Sequence, residues 1–331
     1  MSAAWSHLSR TARRSGARLR TYVFGDAVGL ALFLAALLFF AMIWRVDVFM
    51  TDSAAFVNGL GALGDGHLFI PRPYIGSGLD VPGIYTGVDG PVARNYGQLV
   101  LSLPILLSLR AISLVANLHV AIVALWHLGL LLLVVHLGRL LNRPRIASLV
   151  GSAAVLTLFV ANLHTVRRLP DFAPIVLSLQ ILTLLAASFT VVLAYRLLAG
   201  IHDRRTGLFA GAVVALGTPV AFWSSLPKRH VFTGLAVLLI MYAVHRSRTT
   251  DSGTGGSAGT IGPVLPRRTA YRSLAYATVG FYAWIHAPEA LFMLVGLALV
   301  DLPSAPRRDA RSFGVIAVAF ALSLVPIFLT N

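Results

Sequence analysis

The sequence predicts an all-α polytopic membrane protein, a bundle of about eight to nine transmembrane helices with two further helices in a long first outer loop. Hydrophobic residues make up 57% of the 331-residue chain and charged residues only 12%. The mean hydropathy is +0.80, far above the value expected for a soluble globular domain. The apolar residues fall in runs of about one bilayer thickness, and short arginine-containing loops separate them.

The charge balance indicates topology and not a nucleic-acid partner. Lysine and arginine total 27 against 12 acidic residues, a formal net charge of +15. Most arginines lie in short loops between apolar runs, which is the positive-inside pattern of membrane proteins. The chain has no cysteine, which excludes disulfides, thiolate nucleophiles and cysteine-ligated metals.

The first span sets the orientation of the chain. Residues 1–22 contain five arginines and no acidic residue, and residues 26–44 are then apolar over about one bilayer thickness. The alternative of a signal peptide is disfavoured, because the apolar run is long and no small-residue cleavage pattern follows it. We therefore expect residues 1–22 to be cytoplasmic, residues 23–331 to form the transmembrane region, and the next loop to lie outside.

The first outer loop, residues 46–117, is unusually polar, with five of the twelve acidic residues between positions 46 and 97. The apolar spacing over 52–63 predicts a short amphipathic helix on the membrane surface, capped by Thr51 or Asp52. After a Gly- and Pro-rich stretch, residues 95–109 predict a second interfacial or half-inserted helix that ends at Arg110.

Later spans alternate with loops whose charges mostly fit one orientation. Residues 246–272, rich in Gly, Ser and Thr, predict a flexible cytoplasmic linker. Residues 274–300 have basic flanks on both sides, so we expect a short hairpin or a pair of half-helices broken at Pro288. We also expect a further region beyond residue 331. The remaining predicted spans are 119–138, 146–162, 174–198, 208–223, 231–244 and 313–329.

Two outer loops break the positive-inside pattern. Loop 164–171 carries Arg168 and Asp171, and loop 224–230 carries Lys228, Arg229 and His230. An anionic ligand such as phosphate would explain these cations, because arginine and lysine both bind phosphate well. Snorkelling of the side chains to lipid headgroups explains them equally well, and the sequence leaves both explanations open.

Asp52 likewise has two interpretations. It is an N-cap of the surface helix, or a carboxylate at the membrane edge that takes a proton from an attacking group. Further candidate site residues on the outer side are Arg72, Arg94, Tyr96, His286 and Glu289.

The chain also resembles a known superfamily. The arginine-rich start, one span, an aspartate opening a surface helix, and the segments GDGHLFIPR and RNYGQLVLSLPI are similar to the N-terminal module of GT-C glycosyltransferases. Protein O-mannosyltransferases and lipid A aminoarabinose transferases belong to this superfamily. The resemblance implies that Asp52 is the catalytic carboxylate, with Asp171 as a second acid and Arg168 near it. It places Lys228, Arg229 and His230 near the lipid phosphate.

We therefore expect a plasma-membrane glycosyltransferase that moves a sugar from a polyprenyl (dolichyl-type) phosphate to an acceptor on the outer face. Asp52 would be the general base, and Arg168, Lys228 and Arg229 would hold the donor phosphate. A divalent metal could bind Asp52 and Asp171, although the family's acidic pair is here Asp52-Ser53. The alternatives are a non-catalytic binder of a lipid-linked sugar and a membrane transporter. The acceptor, whether protein, lipid or glycan, is not specified by the sequence.

Overall fold

The computed structural model describes residues 21–43, 51–94, 96–250, 260–261, 265–305 and 309–330. Helix accounts for 79% of the structure, which confirms the predicted all-α class. In the part of the chain that the structure describes, seven helices are long and apolar enough to cross a membrane, and one of them is Tyr96–Val115, which was predicted as an interfacial or half-inserted helix. The protein is therefore a multi-pass membrane protein. Most of the predicted N-terminal segment 1–22 lies outside the described residues.

The elements follow one another as helices joined by short loops, with two small antiparallel hairpins. The hairpins pair β1 (Ile84–Thr86) with β2 (Pro91–Ala93) and β3 (Thr260–Ile261) with β4 (Leu265–Pro266). The helices are α1 (Ala27–Ile43), α2 (Thr51–Gly64), α3 (Tyr96–Val115), α4 (Leu118–Leu140), α5 (Pro144–Leu163), α6 (Ala173–Ile201), α7 (Arg204–Leu216), α8 (Val220–Ser224), α9 (His230–Thr249), α10 (Arg267–Ser304) and α11 (Ala310–Thr330).

Helix α6 is the interior helix of the bundle. Its 29 residues are apolar on every side, and most of its length is buried, as expected for a helix surrounded by other helices. The main core joins it to α1, α9 and α10. Small residues such as Ala187, Ala243 and Ala275, all fully buried, allow these backbones to approach closely.

Several predicted spans are confirmed within a few residues, but the span at 208–223 is wrong. The structure has two shorter helices there, α7 and α8, separated at Gly217–Pro219. Pro219 lacks a backbone N–H and cannot continue the hydrogen bonding of α7, and the Gly217 N–H closes that helix on the carbonyl of Val213 at 2.7 Å. The segment 208–223 is mostly apolar, and for this reason the sequence predicted one continuous span.

The two helices of the first loop also differ from the sequence prediction. Helix α2 covers the predicted range, but residues 53–62 are buried by protein almost all round instead of on one face. Helix α3 does not end at Arg110 but continues to Val115. The Arg110 side chain turns back to α2, where it donates to the Gly64 carbonyl at 2.7 Å, so its charge does not terminate the helix.

Helix α10 folds back on itself near His286, as the hairpin prediction for 274–300 anticipated. Arg272 Nη2 lies 2.8 Å from Asp301 Oδ2 although the two residues are 29 positions apart. A straight helix would separate them by about 43 Å. The backbone of His286 is extended, and this residue divides α10 into a first arm (267–285) and a second arm (287–304), each about 28 Å long.

The predicted linker 246–272 is shorter than expected, because α9 extends to Thr249 and α10 begins at Arg267. Positions 251–259 and 262–264, where a flexible linker was predicted, lie outside the described residues. Two ends of the bundle can now be distinguished. The loop end carries residues 51–94, and the basic end carries Arg196, Arg204, Arg248 and Arg272.

Candidate functional site

The first loop forms a packed cap over the start of α6. Phe56 and Leu60 of α2 and Leu99 of α3 share one buried cluster with Ile175 and Leu179 of α6. This cluster joins the loop end of the bundle to its interior helix. The long polar loop is therefore a fixed platform on which functional side chains can be held in defined positions.

Polar contacts hold the connection between α2 and the β-hairpin. The buried Asn58 side chain accepts hydrogen bonds from the backbone N–H of Tyr74 at 2.6 Å and of Ile75 at 3.0 Å. Burial raises the pKa of the Asp65 carboxyl, but hydrogen bonds from Tyr74 and Arg110 outweigh this effect. The pKa of Asp65 consequently lies below its ordinary value of 3.8.

The turn of α10 supplies the second half of the candidate site. The Nδ1 of His286 lies 3.4 Å from the backbone N–H of Glu289, at the start of the second arm. Pro288 fits this first helical turn because it has no N–H that would need a partner there. The second arm therefore begins at the loop end with the partial positive charge of its N-terminus.

Glu289, the only glutamate in the chain, connects three segments at this turn. Its Oε1 accepts from Arg229 Nε at 2.8 Å, at the start of α9. Its Oε2 accepts from the hydroxyls of Thr233 at 2.8 Å and Tyr282 at 2.5 Å. Both carboxylate oxygens are thus occupied, and the Arg229 guanidinium is held through its Nε.

A cavity of about 440 Å³ opens beside this cluster. Three of its lining residues carry or can carry positive charge, namely Arg94, Arg229 and His286, and its described lining contains no carboxylate. The charges of Arg94 and Arg229 lie close enough to interact electrostatically with His286. Aromatic side chains complete much of the remaining wall, and these are Tyr85, Tyr96 and Trp284.

The β-hairpin and α2 position Arg94. The Arg94 N–H donates to the Gly83 carbonyl at 3.0 Å, and its guanidinium lies 6.0 Å from the centre of the Phe56 ring. Gly83 has φ +94°, and a Cβ there would lie 2.9 Å from Arg94 Nε, so glycine is required at this position. The second turn of α2, which contains Phe56, therefore adjoins the cavity wall through Arg94.

Asp52 belongs to the first turn of α2. Its backbone is helical, but its side chain lies outside the described residues. Position 52 is one helical turn before Phe56 and on the same helix face, and Phe56 is the ring beneath Arg94. The predicted catalytic position therefore lies one helical turn before the residue that packs against Arg94.

The structure brings together some of the predicted site residues. Arg94, Tyr96, Arg229 and His286 line one cavity, and Glu289 lies directly behind Arg229. The exposed ring of His230 is close enough to interact with His286, and it packs against Trp223.

Other predicted residues lie elsewhere. Arg168 and Asp171 are exposed in the loop before α6, and neither lines the cavity. Lys228 is buried and does not line it either. Arg72 is 73% exposed and lies over the Tyr74 ring, 3.9 Å from Asp65. Basic residues that are adjacent in the sequence thus diverge in space.

Sequence reasoning missed two aromatic lining residues and one close contact. Tyr85 lies in a three-residue strand that the sequence pattern did not predict. Trp284 lies in the segment 274–300 that was predicted as a hairpin, but its apolar neighbours gave no sign of a site residue. A Cβ on Gly97 would lie 2.6 Å from the Trp284 carbonyl oxygen. The start of α3 therefore packs directly against the turn of α10, and the glycine allows this approach.

The cavity chemistry fits an anion. A second cavity of about 620 Å³, between α1, α4, α5 and α6, has a mainly apolar described lining with no Asp, Glu, Lys or Arg, and His119 and His127 are the residues there that can carry positive charge. Among the described residues, no three His, Asp or Glu lie close enough together to hold a metal ion. Two arginines, a histidine and a helix N-terminus can together bind a phosphate group.

Comparison with known proteins identifies no relative: no family model, curated protein or solved structure matches this chain.

Proposed function

We propose that this membrane protein is a glycosyltransferase that takes its sugar from a polyprenyl phosphate, with the donor phosphate bound in the cavity at the loop end. The observation that carries this proposal is the convergence of Arg94 and Arg229 on one cavity beside α2, the helix whose first turn contains Asp52. Preorganised cations of this kind stabilise the negative charge that develops on a leaving phosphate.

The proposed reaction is a displacement at the anomeric carbon of the donor. A hydroxyl of the acceptor forms the new C–O bond, Asp52 takes the hydroxyl proton, and the bond from the sugar to the phosphate oxygen breaks. The polyprenyl phosphate leaves with the bonding electron pair, and Arg94 and Arg229 hold the resulting charge. No step passes through a metal ion.

The same proposal includes the position of the site relative to the membrane. Helices α2 and α3 would be juxtamembrane helices, because most of their buried residues pack with the first few turns of α6, residues 172–181. Helix α3 is also long and apolar enough to cross a membrane, so in this proposal it would be partly inserted. The loop end would lie on the outer face of the plasma membrane. The N-terminus and the basic end would then be cytoplasmic, in agreement with the positive-inside rule.

The first test measures sugar transfer in membranes from a radiolabelled pool of polyprenyl-phosphate sugars. We compare the wild type with Asp52→Asn and Arg229→Gln at matched expression. Arg167→Gln is the control, since Arg167 is an exposed arginine of another loop and does not line the cavity. We expect Asp52→Asn to remove most of the transfer, because general-base catalysis contributes roughly 10²–10⁴-fold.

The outcomes separate the possible functions. Loss of transfer in Asp52→Asn and Arg229→Gln, with Arg167→Gln active, supports the transferase. Equal transfer in wild type and Asp52→Asn would make Asp52 a helix cap and refute its catalytic role. Absence of transfer from every donor, together with retained binding of an isoprenyl phosphate, would instead favour a non-catalytic binder or a transporter.

A further inference from the structure

The hydrogen-bonded cluster around Glu289 contains a carboxylate, a group that a phosphate site does not require. Glu289 does not line the cavity, yet its carboxylate receives three hydrogen bonds, from Arg229, Thr233 and Tyr282. A carboxylate beside an anion site repels the anion. Its presence directly behind Arg229 therefore needs a physical explanation.

Building on the proposed function, we propose that Glu289 is a positioning residue that fixes the Arg229 guanidinium for phosphate binding. Oε1 of Glu289 takes the Nε–H of Arg229 at 2.8 Å. No described residue accepts a hydrogen bond from the two terminal amino groups of Arg229, which leaves them available at the cavity. A guanidinium held at Nε presents these two groups in a plane suited to two phosphate oxygens.

The carboxylate is itself held in place. Thr233 lies one turn into α9, and Tyr282 lies in the last turns of the first arm of α10. Their hydroxyls fix Oε2, so Glu289 has little freedom to rotate. The turn at His286 brings Glu289 beside α9, and the alignment of Arg229 thus depends on the reversal of α10.

A positioning role and a purely electrostatic role of Glu289 predict opposite changes in phosphate affinity for Glu289→Gln. If Glu289 acted only through its charge, Glu289→Gln would remove a repulsive carboxylate and tighten phosphate binding. If Glu289 positions Arg229, the same substitution weakens binding, because the guanidinium loses its fixed orientation. The two effects are distinguishable in a single binding measurement.

The experiment is a double-mutant cycle on the purified full-length chain in detergent, with radiolabelled farnesyl phosphate as the probe. The variants are Arg229→Gln, Glu289→Gln and the double variant, and Asp89→Asn is a charge-matched control at the exposed tip of the β-hairpin. We expect Arg229→Gln and Glu289→Gln each to weaken binding about tenfold, the effect of one charge-assisted hydrogen bond. The double variant should bind within about twofold of Arg229→Gln.

Each outcome bears on a different claim. Additive losses in the double variant, or unchanged or tighter binding by Glu289→Gln, would overturn the positioning role while leaving the phosphate site intact. A wild type that does not bind farnesyl phosphate would refute the phosphate site and the inference with it. Tyr282→Phe keeps the test open if Glu289→Gln fails to fold. This substitution removes one hydrogen-bond donor to the Glu289 carboxylate. If Glu289 positions Arg229, Tyr282→Phe weakens farnesyl phosphate binding by the wild type but not by the Arg229→Gln variant.

Discussion

The buried ion pair at the basic end offers a direct test of the α10 reversal. Asp301 and Arg272 join the two arms of α10, and the side chain of each is only 1% exposed. Arg272 Nε donates to both carboxylate oxygens at 3.1 Å, and Nη2 donates to Oδ2 at 2.8 Å. Arg248 of α9 adds a bond to Oδ1 at 2.7 Å. Substituting Asp301 by Asn keeps the shape of the side chain and removes its charge.

Asp301→Asn should lower the free energy of unfolding because its partner, Arg272, is buried. Asp301→Asn leaves the Arg272 guanidinium buried without a countercharge, and breaking a buried pair in this way costs about 3–5 kcal/mol. The amide oxygen of Asn still accepts one hydrogen bond, so we place the loss at about 3 kcal/mol. At about 2.1 cal/mol/K per residue the unfolding entropy of a 331-residue chain is roughly 0.7 kcal/mol/K, so this loss should lower the unfolding temperature by about 4 °C.

Thermal unfolding of the purified protein in detergent measures this loss. Arg248→Gln should cost less than Asp301→Asn, because the Arg248 side chain is 22% exposed and water can replace part of its interaction. Asp80→Asn, at an exposed position of the first loop, makes the same chemical change without burial and should shift Tm by about 1 °C or less. If Asp301→Asn lowers Tm no more than Asp80→Asn does, the close pairing of the two arms is refuted.

Four further substitutions test the packing of α10 and the polar contacts of the first loop. Gly97→Ala should cost about 1–3 kcal/mol by overpacking, measured as Tm. Gly296→Ala, whose Cβ meets nothing within 4 Å, should be neutral or stabilising. Because the pKa of Asp65 in the folded protein lies below 3.8, the ionised carboxylate stabilises the fold above pH 3.8. This stabilisation is lost as the pH falls through the folded-state pKa. The Tm difference between wild type and Asp65→Asn should therefore shrink below pH 4. Asn58→Ala should accelerate hydrogen exchange at the Tyr74 amide, which loses its acceptor.

Periodicity and charge predicted the helices well, because membrane spans are defined by composition over about twenty residues. Basic residues on both sides of 274–300 and a proline in its centre correctly indicated a reversal. The actual turn is at His286, two residues before Pro288, because proline fits the first turn of the new helix. The prediction of one span at 208–223 overlooked Gly217 and Pro219, which separate two helices there.

The candidate site was only partly predictable, for a physical reason. Its two lining arginines, Arg94 and Arg229, are separated by 135 positions and meet only because α3 and α9 both pack near the turn of α10. Sequence reasoning grouped Arg229 with its neighbours Lys228 and His230. The structure instead buries the lysine and places His230 against Trp223. Proximity in the sequence was a poor guide to proximity in space.

The orientation of the α10 arms can be tested cleanly because the chain has no cysteine, so a single introduced thiol reports one position. Thr249 ends α9, and the Ser304 hydroxyl accepts from Arg248 at 2.9 Å, so both residues lie at the basic end. Asp89 is at the tip of the β-hairpin whose Tyr85 lines the cavity, at the loop end.

In the proposed orientation, with the loop end outside, a membrane-impermeant maleimide applied to intact cells should label Asp89→Cys directly, and Thr249→Cys and Ser304→Cys only after permeabilisation. A reversal of α10 returns the chain to the side of the membrane on which it started, whereas a single kinked span of 38 residues would end on the opposite side. Labelling of Thr249→Cys and Ser304→Cys from opposite sides would refute the hairpin. Without the hairpin Glu289 could not lie beside Arg229, and the proposed phosphate site would be refuted together with the fold that forms it.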